Sequence, residues 1–143
     1  MHAPSKPRRD RGCSGVLIVE DDPAIQATLA DVLEDEGYSV SVARNGREAL
    51  DALRARPTSP PCLILLDLMM PNMNGAEFRS EQVKDETLSA IPVILLTADR
   101  QSDRAREELN VAAALRKPPD LDALLSLIRR YCEPVGLRPT GDD

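Results

Sequence analysis

Pro61-Cys62-Leu63-Ile64-Leu65-Leu66-Asp67-Leu68-Met69-Met70-Pro71 decides the fold. Cys62 to Leu66 is an unbroken apolar run that stops at one carboxylate, and a proline follows four residues later. A short apolar run without alternation reads as a strand covered on both faces, as in a parallel α/β sheet. Asp67 then stands at the carboxyl end of a central strand, where open α/β sheets place their chemistry. Taken alone, Asp67 is equally well a residue that starts a turn. The other strand ends decide between the two.

Working outward, Val16-Leu17-Ile18-Val19 is a second buried-strand run, closed by Glu20, Asp21 and Asp22 and then Pro23. Proline suits a first helical turn, and acids there complement the helix dipole. Ile25, Leu29, Val32 and Leu33 form an apolar helix stripe, and Gly37 caps its end. Tyr38, Val40 and Val42 alternate with serines, as an edge strand would. After Asn45-Gly46, a short helix carries Ala49, Leu50 and Leu53 and ends before Pro57. Residues 76 to 88 should hold a crossover helix, although Arg79 and Gln82 interrupt its stripe of Phe78 and Val83. Pro92 to Leu96 is another buried run, ending at Thr97. A charged helix from Ser102 to Leu109 has Ala105 and Leu109 almost alone as anchors, which predicts low local stability. Val111 to Leu115 makes a short strand ending at Lys117-Pro118, and Leu121, Leu124, Leu125, Leu127 and Ile128 make the last helix. Strand and helix alternate five times, which is a doubly wound parallel sheet.

Composition narrows the function classes. The 143 residues suffice for one domain, and a net charge of −6 disfavours nonspecific polyanion binding. With no Trp, two Tyr and one Phe, the chain lacks surfaces for stacking bases, so direct nucleic-acid contact is not expected. No apolar run approaches the roughly 20 residues of a membrane span. Cys13, Cys62 and Cys132 are scattered, with no CxxC, and read as reduced thiols in a cytoplasmic protein. Residues 1–14 read as a disordered basic arm, 15–132 as the domain, and 133–143 as a flexible tail.

Parallel strands present their carboxyl ends at one edge, so Glu20, Asp21, Asp22, Asp67, Thr97 and Lys117 should converge. Clustered carboxylates repel one another unless a cation is present. Oxygen ligands without His or Cys select a hard cation, with Mg2+ the expected one. A carboxylate nucleophile, a divalent cation, a lysine and a hydroxyl are the parts needed to accept a phosphoryl group.

These segments resemble the receiver domain of two-component response regulators, the phosphoacceptor partners of histidine kinases. The resemblance rests on Val16 to Pro23, Leu65 to Gly75, Ile91 to Ala98 and Lys117-Pro118, and spans residues 15 to 132. It implies a flavodoxin-like (βα)5 fold with a five-stranded parallel sheet. It implies that Asp67 is the phosphoacceptor, that Asp21 binds Mg2+ directly and Glu20 through water, and that the Met69 backbone carbonyl completes the ligands. Asp22 would support rather than coordinate. Thr97 would bind a phosphoryl oxygen, and Lys117 would pair with Asp67 or its phosphate, with a cis Lys117-Pro118 bond. The donor would be a histidine kinase or histidine phosphotransfer protein, and the downstream protein is not specified.

The sequence departs from the family pattern at Ala114, where a Phe or Tyr switch is usual, at Asn110 in place of a glycine, and at Asp99 near the phosphoryl pocket. The reading is a stand-alone phosphoacceptor that assists its own phosphorylation and dephosphorylation but is not a turnover enzyme. With only a short tail after residue 132, its output is expected through protein contacts. A pseudo-receiver scaffold that binds partners without phosphorylation is the alternative, favoured by Ala114. A Mg2+-dependent phosphatase would want a second acid two residues after the nucleophile, where Met69 stands.

Overall fold

The computed structural model describes residues 15–70, 72–98 and 102–132. The elements run β1 (Val16–Val19), α1 (Pro23–Asp35), β2 (Val40–Ala43), α2 (Gly46–Ala55), β3 (Leu63–Asp67), α3 (Gly75–Lys84), β4 (Val93–Thr97), α4 (Ser102–Leu109), β5 (Ala113–Arg116) and α5 (Leu121–Tyr131). All strand pairs are parallel, in the order β2-β1-β3-β4-β5. The expected doubly wound, flavodoxin-like sheet is therefore the fold. The winding reverses between β1 and β3, and a crevice opens at such a reversal. The proposed arm (1–14) and tail (133–143) lie outside the described residues. Among the described residues no helix is long and apolar enough to cross a membrane.

Alternate strand residues feed two cores. Ile64, Leu66, Leu17, Val19, Val93 and Leu95 pack with α2, α3 and α4 on one face. Val16, Ile18, Leu63, Leu65, Ile94 and Leu96 pack with α1 and α5 on the other. This is why β1, β3 and β4 are continuous apolar runs: a strand covered on both faces has no polar side to alternate with. β2 is an edge strand, paired among the described residues with β1 alone; Ser41 and Val42 are both exposed, so its burial does not follow the alternation of valine and serine.

Helix ends follow local chemistry. The Asp22 carboxylate accepts hydrogen bonds from the Ala24 and Ile25 amides at the start of α1, and Pro23 opens the helix. Gly37 closes α1 at φ +94°, where the Tyr38 amide donates to the Leu33 carbonyl and the Gly37 amide to that of Glu34. Asn110 plays the same part after α4 at φ +55°, with the Val111 amide donating to the Arg106 carbonyl. Asparagine is one of the few side chains suited to that conformation.

Three expectations are corrected. The third helix is Gly75–Lys84, shorter than 76 to 88, because the Asp85 carboxylate takes the Thr87 amide and hydroxyl and turns the chain. It starts on a reciprocal cap between Asn74 and Glu77. Its buried face is Phe78, Arg79 and Gln82, whereas Val83 is 50% exposed, so the two polar residues belong to the packed stripe. Finally, Cys132 is a buried thiol, whereas Cys62 is disulfide-bonded. The reading of three reduced thiols therefore fails. Cys62 stands just before β3, and its amide donates to the Gly15 carbonyl at 2.6 Å.

Gly75 fixes how closely α3 approaches the end of β3. A β-carbon there would lie 2.8 Å from both the Asp67 carbonyl oxygen and the Leu68 Cα, and neither backbone atom can rotate away. Gly75→Ala is expected to lower the unfolding free energy by roughly 1–3 kcal/mol, as overpacking against fixed atoms does. Urea denaturation checks this, and an unchanged midpoint would show that the approach is looser than described.

Candidate phosphoacceptor site

Strand register builds the site one step at a time. Val19 pairs with Leu66, so the next residues, Glu20 and Asp67, emerge side by side. Asp67 pairs with Leu96, so Thr97 lies one step beyond it on β4. Thr97 pairs with Arg116 and its carbonyl accepts the Lys117 amide at 2.8 Å, so Lys117 follows on β5. β1, β3 and β4 each contribute a polar residue just where the apolar run ends, and β5 contributes Lys117 one step after Arg116. Glu20, Asp67 and Thr97 are all buried, and Lys117 is half-buried.

Lys117 is the hub. Its Nζ lies 2.9 Å from Glu20 Oε1 and 3.2 Å from Asp67 Oδ1. The Lys117-Pro118 bond is cis, as the resemblance implied. The contact with Glu20 is an ion pair without hydrogen-bond alignment, which leaves Glu20 Oε1 buried with no aligned donor. The other carboxylate oxygen of Glu20 accepts the Asp22 amide at 3.1 Å, and Gln26 Nε2 donates to the Glu20 carbonyl at 2.8 Å. The Met69 amide donates to Asp67 Oδ1 at 3.3 Å, while the Met69 side chain is exposed.

The electrostatics follow from this packing. Burial pushes the Asp67 carboxyl up from the ordinary 3.8 to about 6, and the Glu20 charge pushes the same way, against the pull of Lys117. Holding the anion there costs on the order of 3 kcal/mol relative to water. Burial alone would lower the Lys117 ammonium, but the Glu20 and Asp67 carboxylates beside it outweigh that and hold it above its ordinary value. One lysine therefore fails to neutralise two buried carboxylates.

Carboxylate oxygens of Glu20, Asp21 and Asp67 come within 4.8 Å of one another. A buried oxygen without an aligned donor beside two further carboxylates suits a hard divalent cation such as Mg2+. Asp22 is occupied in capping α1 and stays out of this group, in keeping with a supporting role. Asp99 lies outside the described residues. Ala114 is half-buried against the α3–α4 face of the core and supplies no ring. The reading of residues in sequence missed Arg79, which joins α3 to the end of α4, and Gln82, which joins α3 to the segment before β4. Two polar residues three apart inside an apolar helix face were the available signal.

The pH dependence has a definite sign. Because the folded-state pKa of Asp67 lies above its ordinary value, the metal-free protein binds this proton more tightly than the unfolded chain. The group therefore makes the protein less stable as pH rises from about 4 to about 6. Carboxyl carbon NMR is expected to place the metal-free midpoint near 6 and to shift it downward on adding Mg2+. A midpoint indifferent to Mg2+ would remove Asp67 from the cation site.

Residues 16–129 match the response regulator receiver domain family. The chain is 33% identical over 128 residues to the transcriptional regulatory protein CrdR of Helicobacter pylori, covering 87% of this chain and 58% of that protein, so it spans little more than half of that relative. It is 35% identical over 119 residues to sporulation initiation phosphotransferase F of Bacillus subtilis, covering 81% of this chain and 91% of that one. Among solved structures, the signal receiver domain of a signal transduction histidine kinase from Syntrophus aciditrophicus superposes with a TM-score of 0.73 at 35% identity, covering 82% of this chain and 89% of that one. The switch-point crevice, the row of polar strand ends and these likenesses agree, and the chain belongs to the response regulator receiver domain family.

Proposed function

We propose that this chain accepts a phosphoryl group on Asp67 from a phosphohistidine donor and uses the change to switch its protein contacts. The observation that carries the reading is the placement of Lys117 Nζ within ion-pair reach of both Glu20 and Asp67 at the edge where the sheet winding reverses. An Asp67 carboxylate oxygen attacks phosphorus, the P–N bond breaks, and the imidazole leaves with the electron pair, so an acyl phosphate forms. Lys117 balances the charge that gathers on the phosphoryl oxygens, and the Thr97 hydroxyl donates to one of them. A Mg2+ held by Asp21 and Asp67, by Glu20 through water and by the Met69 carbonyl would neutralise the rest of that charge. The acceptor is consumed and must be regenerated, so the protein is a switch rather than a turnover enzyme. The reading includes a cytoplasmic setting, where kinases draw phosphoryl groups from ATP.

A histidine kinase or histidine phosphotransfer protein is the proposed donor. Support comes from an apolar groove of about 520 Å³ beside Lys117, lined by Ala24, Ile25, Thr28, Leu29, Pro118, Pro119 and Leu121. The groove shares Lys117 with the site, and Leu121 is 40% exposed there. The competing reading, a scaffold that binds without phosphorylation, draws on Ala114 alone.

The test is intact mass after incubation with acetyl phosphate, with and without Mg2+. A Mg2+-dependent gain of one phosphoryl group, absent in Asp67→Asn, is expected; no gain at any Mg2+ concentration favours the scaffold. Lys117→Ala is expected to slow labelling by about a hundredfold, as loss of a charge-stabilising donor does. Labelling near the wild-type rate would take Lys117 out of the chemistry. Leu121→Glu should slow transfer from a histidine-phosphorylated protein about tenfold or more while leaving acetyl phosphate labelling nearly unchanged. Equal effects on the two donors would dismiss the groove as a docking site.

A further inference from the structure

Arg79 is a second buried cation, and the phosphoacceptor chemistry makes no use of it. It sits on α3 with 9% of its surface exposed, and among the described residues no carboxylate lies within ion-pair distance of it. Its charge rests on oxygen dipoles instead. Nε donates to the Leu109 carbonyl at 2.9 Å, Nη2 to the Asn110 carbonyl at 2.7 Å, and Nη1 to Gln82 Oε1 at 2.8 Å. The two carbonyls belong to the last residue of α4 and the left-handed residue after it. The negative end of a helix dipole and its unpaired carbonyls are where a guanidinium fork fits best.

The attachment matters because α4 has little else. Ala105 is its one fully buried apolar side chain, and Leu109 is half-buried. Arg104 and Glu108 pair with each other in solvent at 3.1 Å, which contributes little. Besides its packing on β4 and β5, α4 is therefore held by directional bonds from one residue of a different helix. Releasing that residue would leave a buried charge with broken bonds, so intermediate positions are costly and the arrangement tends to two states.

The same residue is tied to the phosphoacceptor from two directions. One turn before Arg79 on the same helix face, Gly75 donates its amide to the Leu68 carbonyl, next to Asp67. On the other side, Gln82 Nε2 donates to the Leu88 and Ile91 carbonyls at 2.9 and 3.0 Å, which holds the segment leading into β4 and so to Thr97. A shift at the end of β3 or along β4 therefore acts on the fork that holds α4.

We propose that the Arg79 fork, with Gln82 behind it, is the latch that sets the position of α4 and transmits the phosphorylated state of Asp67 to the α4–β5 surface, in place of an aromatic side chain at Ala114. This rests on Asp67 being the phosphoacceptor. Arg79 is a positioning residue: it touches neither the reacting carboxylate nor the cation site.

Hydrogen exchange of the full chain, followed by mass spectrometry with and without acetyl phosphate and Mg2+, tests the latch in the wild type, Arg79→Met and Arg79→Lys. In the unphosphorylated protein, Arg79→Met is expected to speed exchange across residues 104–111 about tenfold or more, with β3 and α1 unchanged. Acetyl phosphate labelling of that variant should stay within about threefold of the wild type, since the chemistry is intact. The change that phosphorylation causes in residues 104–111 of the wild type should be lost. Wild-type exchange in Arg79→Met, or a full-sized phosphorylation response in it, overturns the proposal. Where Arg79→Met does not fold, Arg79→Lys carries the same measurement, because it keeps the charge and loses the fork. A wild-type chain that takes no phosphoryl group overturns the proposed function and the switch with it; unphosphorylated exchange then still reads the hold on α4 separately.

Discussion

Two buried carboxylates on neighbouring strands share one ammonium, and the site depends on that imbalance. Lys117 reaches both Glu20 and Asp67, yet Asp67 remains hard to ionise because burial and the Glu20 charge outweigh the lysine. The deficit is electrostatic and local, so it can be relieved only by more positive charge at the same place. The carboxylates of Glu20, Asp21 and Asp67 are close enough to hold such a charge as a divalent cation. The metal-free site is thus poorly stabilised by its own residues, and its stability is tied to binding.

The sheet makes this arrangement possible. Apolar strands covered on both faces leave their carboxyl ends as the natural place for polar groups, and parallel pairing puts those ends in a row. The reversal between β1 and β3 opens the crevice, and Gly75 lets α3 close in behind Asp67 without a side chain in the way. Core packing and site geometry are therefore one design: in β1, β3 and β4 the residue after the apolar run is the residue that faces the site.

The second buried cation shows how the periphery is fastened. A helix as polar as α4 gains little from hydrophobic burial, so its position depends on a few directional bonds. Those bonds come from Arg79, with Gln82 completing the frame. At Ala114 a methyl group lies against the same face of the core, and no ring couples the strand ends to α4. Directional polar bonds and packed rings are different ways of joining a polar helix to a sheet.

How much was legible in the sequence divides along a physical line. Period, apolar run length and cap residues are properties of neighbours in the chain, and they determined the five strands, four of the five helices, and the row of Glu20, Asp67, Thr97 and Lys117. Three other features depended on partners far away in the chain. Arg79 and Gln82 read as breaks in a helix stripe because their acceptors, such as the Leu109 carbonyl 30 residues on, belong to other elements. Cys62 read as a reduced apolar residue because nothing near it in the sequence announces its disulfide. The raised pKa of Asp67 is set by burial together with charges from β1 and β5. Side-chain pattern along the chain records which face is apolar; only the tertiary structure decides which polar group on that face finds a partner, because the partner comes from a different element.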